Sequence, residues 1–200
     1  MWQLANAWQD ELLLAATWRA AAPFPHLVFD DFVPEDRLDS LMIALEEEHV
    51  ARYEGDLFAF EASAPEPASP ELAGLRAEFA RVLCPPLSRI TGKPVSRVDM
   101  RAYAYRPGHY LLPHSDHQEG LARVLAYAYY LPSPAPPQGG ELELFRVELA
   151  DGEATVTEAA CMIPARRNRL AVFDVSAVSL HQVREVLAGL RMSLAGWFYT

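Results

Sequence analysis

Within LLPHSDHQEG (111–120), the four positions 114–117 hold three side chains able to bind a metal or move a proton: His114, Asp116 and His117. Side chains alternate faces along an extended strand, so His114 and Asp116 project together, with Tyr110 and Leu112 beside them and His117 opposite. An imidazole and a carboxylate two residues apart can occupy neighbouring positions around one ion. A second imidazole from another strand would complete the two-histidine, one-carboxylate face that holds non-haem Fe(II) and leaves three positions open. Alone the pattern is a weak signal, because a polar strand end carries the same residue types.

His181 is the candidate second imidazole, at the end of an apolar stretch in NRLAVFDVSAVSLHQVREVLAGLRMSLAGWFY (168–199). Arg191 follows on the next strand, and period-2 alternation puts Arg191, Ser193, Ala195 and Trp197 on one face. Arginine pointing into a β core is rare unless an anion pairs with it. A guanidinium fork beside a hydroxyl suits one end of a dicarboxylate. Other polar residues read more plainly. His109 follows Pro107-Gly108 in a turn, His117 belongs at a rim, and His26 and His49 have no partners in sequence. Arg101 is expected to pair with Asp99 or lie at an exposed edge, although it could meet a substrate carboxylate. Arg123 reads as a strand-start surface residue, Tyr103 equally as barrel filling or cavity wall, and Trp197 as core.

These groups need a scaffold, and the texture of the chain describes one. The first third reads as helical around one strand, HLVFDDFV (26–33). A helix follows Pro34, FEASAPEPASP (60–70) is a loop, and Ser69-Pro70-Glu71 caps the helix ELAGLRAEFARVL. From about residue 94 the pattern becomes short, often alternating segments divided by turn residues, with Asp151-Gly152 a hairpin signal. The expectation is one domain over residues 1–200, in which helical support (1–93) packs on an antiparallel β sandwich or barrel (94–200).

Composition excludes several classes. Two hundred residues, half of them apolar, are enough for one sizeable core. Net charge is −10 and Lys93 is the single lysine, which argues against a nucleic-acid partner, since that binding is carried by clustered Lys and Arg. Cys84 and Cys161 form no CxxC pair, as suits a reducing compartment. The opening MWQLANAWQDELLLAATW has no basic region before its apolar part and reads as an amphipathic helix, not a signal peptide. No apolar run approaches the roughly 20 residues that cross a bilayer. A cytoplasmic protein without a membrane partner is expected.

Tyr105-x-x-Gly108, LLPHSD, YYL, GGEL, NRLAVF, HQVREV and RMSLAGWF, in this order, resemble the 2-oxoglutarate/Fe(II) oxygenases of the prolyl-hydroxylase group, most of all the catalytic domain of ribosomal prolyl 3-hydroxylases. The resemblance covers about residues 22–200 and is dense from 101 to 199. It implies a mainly β fold, the double-stranded β-helix of jelly-roll or cupin type. It also implies that His114, Asp116 and His181 are iron ligands, and that Arg191, with Ser193, takes the distal carboxylate of 2-oxoglutarate. Tyr105 and Tyr130 would help to hold that co-substrate. Fe(II), 2-oxoglutarate and O2 follow, with ascorbate as an optional reductant. The implied reaction is hydroxylation of an unactivated C–H, with 2-oxoglutarate decarboxylated to succinate. Aspartate in HxD favours hydroxylation over halogenation, because it fills the position a halide needs. Peptidyl proline is the first expected substrate, with a free amino acid or a natural-product peptide as alternatives. A cupin-type metal-binding barrel without oxygenase activity is the alternative of a different class. One departure is LPSPAPPQ (131–138), where family members commonly carry Leu-Asn and a tryptophan. It is expected to be a stiff loop or to reshape one lip of the pocket.

Overall fold

The computed structural model describes Trp2, Trp8 and residues 10–150 and 153–200. The elements in chain order are α1 (Glu11–Ala20), β1 (His26–Phe29), α2 (Glu35–Leu45), β2 (Ala51–Gly55), β3 (Phe58–Ala62), α3 (Pro70–Thr91), β4 (Arg97–Val98), β5 (Arg101–Tyr105), β6 (Tyr110–His114) and β7 (Arg123–Tyr130). They continue with β8 (Gln138–Gly139), β9 (Leu142–Ala150), β10 (Glu153–Ile163), β11 (Arg169–Asp174), β12 (His181–Val183), β13 (Val186–Ala188) and β14 (Arg191–Tyr199).

Twelve of the strands form one curled antiparallel sheet in the order β1-β11-β7-β14-β5-β3-β6-β12-β9-β10, with β2 paired to β3 and β4 to β14. The expected double-stranded β-helix is this sheet folded on itself. One arm is β1, β11, β7, β14 and β5; the other is β6, β12, β9 and β10; β3 joins them.

The helices cover the outer face of the first arm, which explains why its strands are apolar on both sides. On β7, Leu125, Tyr127 and Tyr129 join the helical core, whereas Ala126, Ala128 and Tyr130 face inward. Phe79 of α3 is fully buried there, stacked on Phe198 with centroids 5.8 Å apart. Helix α3 begins as its sequence directs: Pro70 opens it, and the Leu72 backbone N–H donates to Ser69 Oγ at 3.1 Å. It runs further than expected, through Pro85 and Pro86, because Leu83, Leu87 and Ile90 prolong the buried stripe. Gly92, at φ 74°, ends it in the left-handed conformation glycine adopts without strain. Among the described residues, no helix is long and apolar enough to cross a membrane.

Two differences from expectation matter for the pocket. Residues 51–62 form the hairpin β2–β3, in register from Ala51↔Ala62 to Gly55↔Phe58, so Phe60 to Ala62 are strand and not loop. Residues 142–150 form one strand instead of two short ones, paired with β10. The turn signal Asp151-Gly152 lies outside the described residues, and the strands on either side of it are antiparallel.

Candidate metal centre and its pocket

A cavity of roughly 320 Å³ opens between the two arms. β6 and β12 deliver one histidine each, His114 and His181, directly opposite one another in register. Asp116 lies two residues beyond the end of β6. Its turn is held by Ser115 Oγ, which donates to the Ser176 carbonyl at 2.8 Å, and by Arg123 Nη1, 3.4 Å from the Asp116 carbonyl. One ligand atom from each of His114, Asp116 and His181 falls within 4.8 Å of the others. Each imidazole donates Nδ1–H to a backbone carbonyl, His114 to Leu112 at 2.9 Å and His181 to Ser179 at 3.0 Å. This leaves both Nε2 lone pairs turned to the carboxylate, 3.7 and 3.4 Å away. Such outer hydrogen bonds fix tautomer and ring direction at metal centres. Burial is the main cause that pushes His181 down to about 4, against the pull of Asp116, so its ring is neutral and free to ligate at physiological pH. The donor set fits an octahedral cation with three positions open.

Simple alternation does not describe β6. Its pairing with β12 runs His181↔His114 and then Val183↔Leu111, so Leu112 and Pro113 stand opposite Gln182 alone. This β-bulge flips the strand, and it falls at Pro113, which has no N–H for the ladder. Leu111, not Leu112, therefore shares the cavity with His114. Leu112 is exposed and binds through its backbone N–H to the Leu57 carbonyl at 2.8 Å.

Arg191, only 4% exposed, enters the same cavity from β14. Its guanidinium carbon lies 4.7 Å from the Tyr105 ring centroid and 5.0 Å from that of Tyr130, and Nη1 contacts Ser193 Oγ at 3.3 Å. Among the described residues it has no carboxylate partner. Its Nε and the Tyr130 hydroxyl are buried with no hydrogen-bond partner. Burial pushes the Tyr105 phenol above its usual range, so it remains a neutral donor. A desolvated cation with orphaned donors around it has the chemistry to receive one carboxylate.

The rest of the lining was less legible from sequence. Phe58 and Phe60 of the missed hairpin form a wall of the mouth, with Phe60 centroids 5.5 and 5.6 Å from Tyr103 and Tyr105. Their spacing of two after the Gly55-Asp56 turn was the available signal. Trp197 borders the cavity under Arg123, whose guanidinium carbon is 3.6 Å from its ring. Arg101 does not pair with Asp99. Asp99 instead accepts from the Trp197 N–H at 2.5 Å and the Tyr199 hydroxyl at 2.8 Å, while Arg101 lines the cavity. His109 is in the expected turn but is buried, with Nε2 3.4 Å from Arg52. His117 is exposed. No residue of 131–138 borders the cavity; that loop packs on the turn before Arg191, where the Leu190 N–H donates to the Ala135 carbonyl at 2.8 Å.

A family model described as the 2OG-Fe(II) oxygenase superfamily matches residues 100–199, the stretch that supplies every residue of the histidine–aspartate cluster and of the arginine end. The chain belongs to this superfamily. Prolyl 3-hydroxylase OGFOD1 of Mus musculus is 31% identical to this oxygenase over 183 residues, 88% of this chain and 33% of the relative. The chain thus spans about a third of the length of the curated relatives it matches. Among solved structures, a Pseudomonas putida prolyl-4-hydroxylase superposes with a TM-score of 0.68 at 21% identity, covering 93% of this chain and 98% of that one. A Trichoplax adhaerens prolyl hydroxylase, solved with a hypoxia inducible factor peptide fragment, gives 0.67 at 13% identity, with 98% and 94% covered. At these identities the structures establish a shared fold for this oxygenase.

Proposed function

We propose that this oxygenase hydroxylates an unactivated C–H of a peptidyl proline, using Fe(II), 2-oxoglutarate and O2. The observation that carries the reading is Arg191, a buried guanidinium without a carboxylate partner, in the same cavity as the His114/Asp116/His181 cluster. A metal-binding barrel without oxygenase activity has no use for that cation. The substrate class is supported by the prolyl hydroxylases among its relatives and by a mouth walled with the flat rings of Phe58, Phe60 and Tyr103, which suit a pyrrolidine.

His114, Asp116 and His181 would hold the iron, and the iron with 2-oxoglutarate would supply the oxidising chemistry, yielding succinate and CO2. The chain's own residues bind and orient. Arg191 and Ser193, with the Tyr130 hydroxyl donating into the same space, take the distal carboxylate of the co-substrate. Tyr105 packs its ring on the guanidinium and limits where it can swing. The Leu112 and Ser179 carbonyls keep both histidines in the tautomer that presents Nε2. Leu111, Leu142 and Val183 exclude water around the cluster. The chain acts as a single oxygenase domain, and its two free cysteines suit a reducing cytoplasm.

Anaerobic titration with Fe(II) and 2-oxoglutarate tests the reading. A visible metal-to-ligand charge-transfer band is expected. Iron bound with no band would remove 2-oxoglutarate from the site.

A further inference from the structure

The cavity holds a second cation that co-substrate binding does not use. Arg101 stands at the start of β5, opposite Ala195 of β14, whereas Arg191 stands opposite Tyr105 at the other end of the same strand pair. Four residues of strand separate the two pairs, roughly 13 Å at about 3.3 Å per residue. Both arginines border the cavity. A five-carbon dicarboxylate seated at Arg191 and chelating beside the histidines does not extend to Arg101.

Arg101 is held firmly. Its Nε and Nη2 both donate to the Ser63 carbonyl, at 2.8 and 2.6 Å, and its guanidinium carbon lies 5.2 and 5.5 Å from the rings of Tyr53 and Tyr103. These contacts orient the group without neutralising it, since a carbonyl and two rings offer dipoles and quadrupoles but no charge. The nearby acids are committed elsewhere: Asp99 to Trp197 and Tyr199, Glu61 to Arg106 at 2.9 Å, and Asp116 to the two histidines. In a chain with 27 acidic against 17 basic residues, an arginine on a largely apolar cavity wall with no acidic partner among the described residues is an uncommon arrangement.

We infer that Arg101 is a specificity-determining residue that receives a carboxylate of the substrate itself. The inference rests on the proline part of the reading above, admits the free imino acid beside the peptidyl residue, and narrows the reading to prolines that carry or adjoin a carboxylate. That group is an acidic side chain next to the proline, a chain-terminal carboxylate, or the carboxylate of a free imino acid. All three present the same planar anion to the guanidinium fork.

The test uses protein loaded with Mn(II) and 2-oxoglutarate, which binds without turning over. It is titrated calorimetrically with the acetylated, amidated peptide Gly-Xaa-Pro-Yaa-Gly, in which Xaa or Yaa is Glu, Gln or Lys. A C-terminal Gly-Pro peptide, as free acid and as amide, and L-proline with L-prolinamide complete the set. One of the three acid/amide comparisons is expected to favour the acid by about tenfold or more, and the comparison that does so identifies the source of the carboxylate. In Arg101→Gln the preference should vanish, and in Arg101→Lys part of it should remain. The wild-type comparison decides the matter even if Arg101→Gln does not fold. Equal binding of acid and amide, with the Fe(II) protein still adding one oxygen to the peptide by mass spectrometry, overturns this inference and leaves the prolyl reading standing. If no probe of any charge binds or gains oxygen, the prolyl reading falls, and the inference with it.

Discussion

Asp116 and Arg191 carry opposite burdens at the residue scale. Asp116 is the one carboxylate turned to two imidazole Nε2 atoms, so its loss leaves two neutral ligands and no charge to offset a divalent cation. Asp116→Ala is expected to abolish iron-dependent succinate formation; full coupled activity in that variant would remove Asp116 from the centre. The exposed His117 is the control, and His117→Ala should bind iron as the wild type does. Arg191→Ala strands the far carboxylate of 2-oxoglutarate in a buried place, with an expected affinity loss of about 30-fold or more. Tyr130→Phe removes one hydroxyl and leaves the cation, so a smaller loss of about threefold to tenfold is expected by the same titration. Equal losses in the two variants would mean that the Arg191 guanidinium contributes no more to co-substrate binding than one hydroxyl hydrogen bond.

The centre depends, at the element scale, on how strands are trimmed and joined. The bulge at Leu112-Pro113 sends Leu111 inward, and the β2–β3 hairpin adds aromatic walls that the helical reading of the first third did not contain. Strand β14 can pass close to β4 and β5 because residue 196 is glycine. A Cβ there would meet the Asp99 carboxylate and, at 2.8 Å, the Asp99 carbonyl oxygen. Gly196→Ala is therefore expected to disturb Asp99, which orders Trp197 and Tyr199, and to cost about 1–3 kcal/mol in denaturant unfolding. An unchanged midpoint would show that Asp99 moves aside at no cost.

The whole molecule is a curled sheet with helices packed on one arm, and its stability is coupled to pH through that interface. Cys84 of α3 is buried there, and desolvation pushes its thiol from 9.0 up to about 11. The folded chain thus keeps this proton where the unfolded chain releases it. The contribution is intact below pH 9 and is lost as pH rises from 9 to about 11, at most about 3 kcal/mol. Melting curves between pH 8 and 10.5 should fall more steeply for the wild type than for Cys84→Ala.

The candidate site was legible in sequence because it depends on residue types at short spacings. His114-x-Asp116, His181, and Arg191 two residues before Ser193 are local patterns. Period-2 alternation on β14 correctly placed Arg191 and Ser193 on the face that turns out to line the cavity. Local patterns failed where the deciding contact was distant. Parity put Leu112 beside His114 because a bulge shows only in the pairing of β6 with β12. Sequence leaves Arg101 to pair with Asp99, to lie at an exposed edge or to meet a substrate carboxylate; the first is closed because Asp99 is taken by Trp197 and Tyr199, about a hundred residues on. Of the two expectations for the proline-rich loop 131–138, a stiff loop or a lip of the pocket, the structure supports the first: Gly189 admits it at the turn before Arg191, where a Cβ would meet the Ala135 carbonyl at 2.7 Å. Sequence by itself determined which groups could bind a metal and an anion, since that follows from the donors each side chain carries. The tertiary structure alone decided which arginine is left without a partner, because only folding shows which charges have already met.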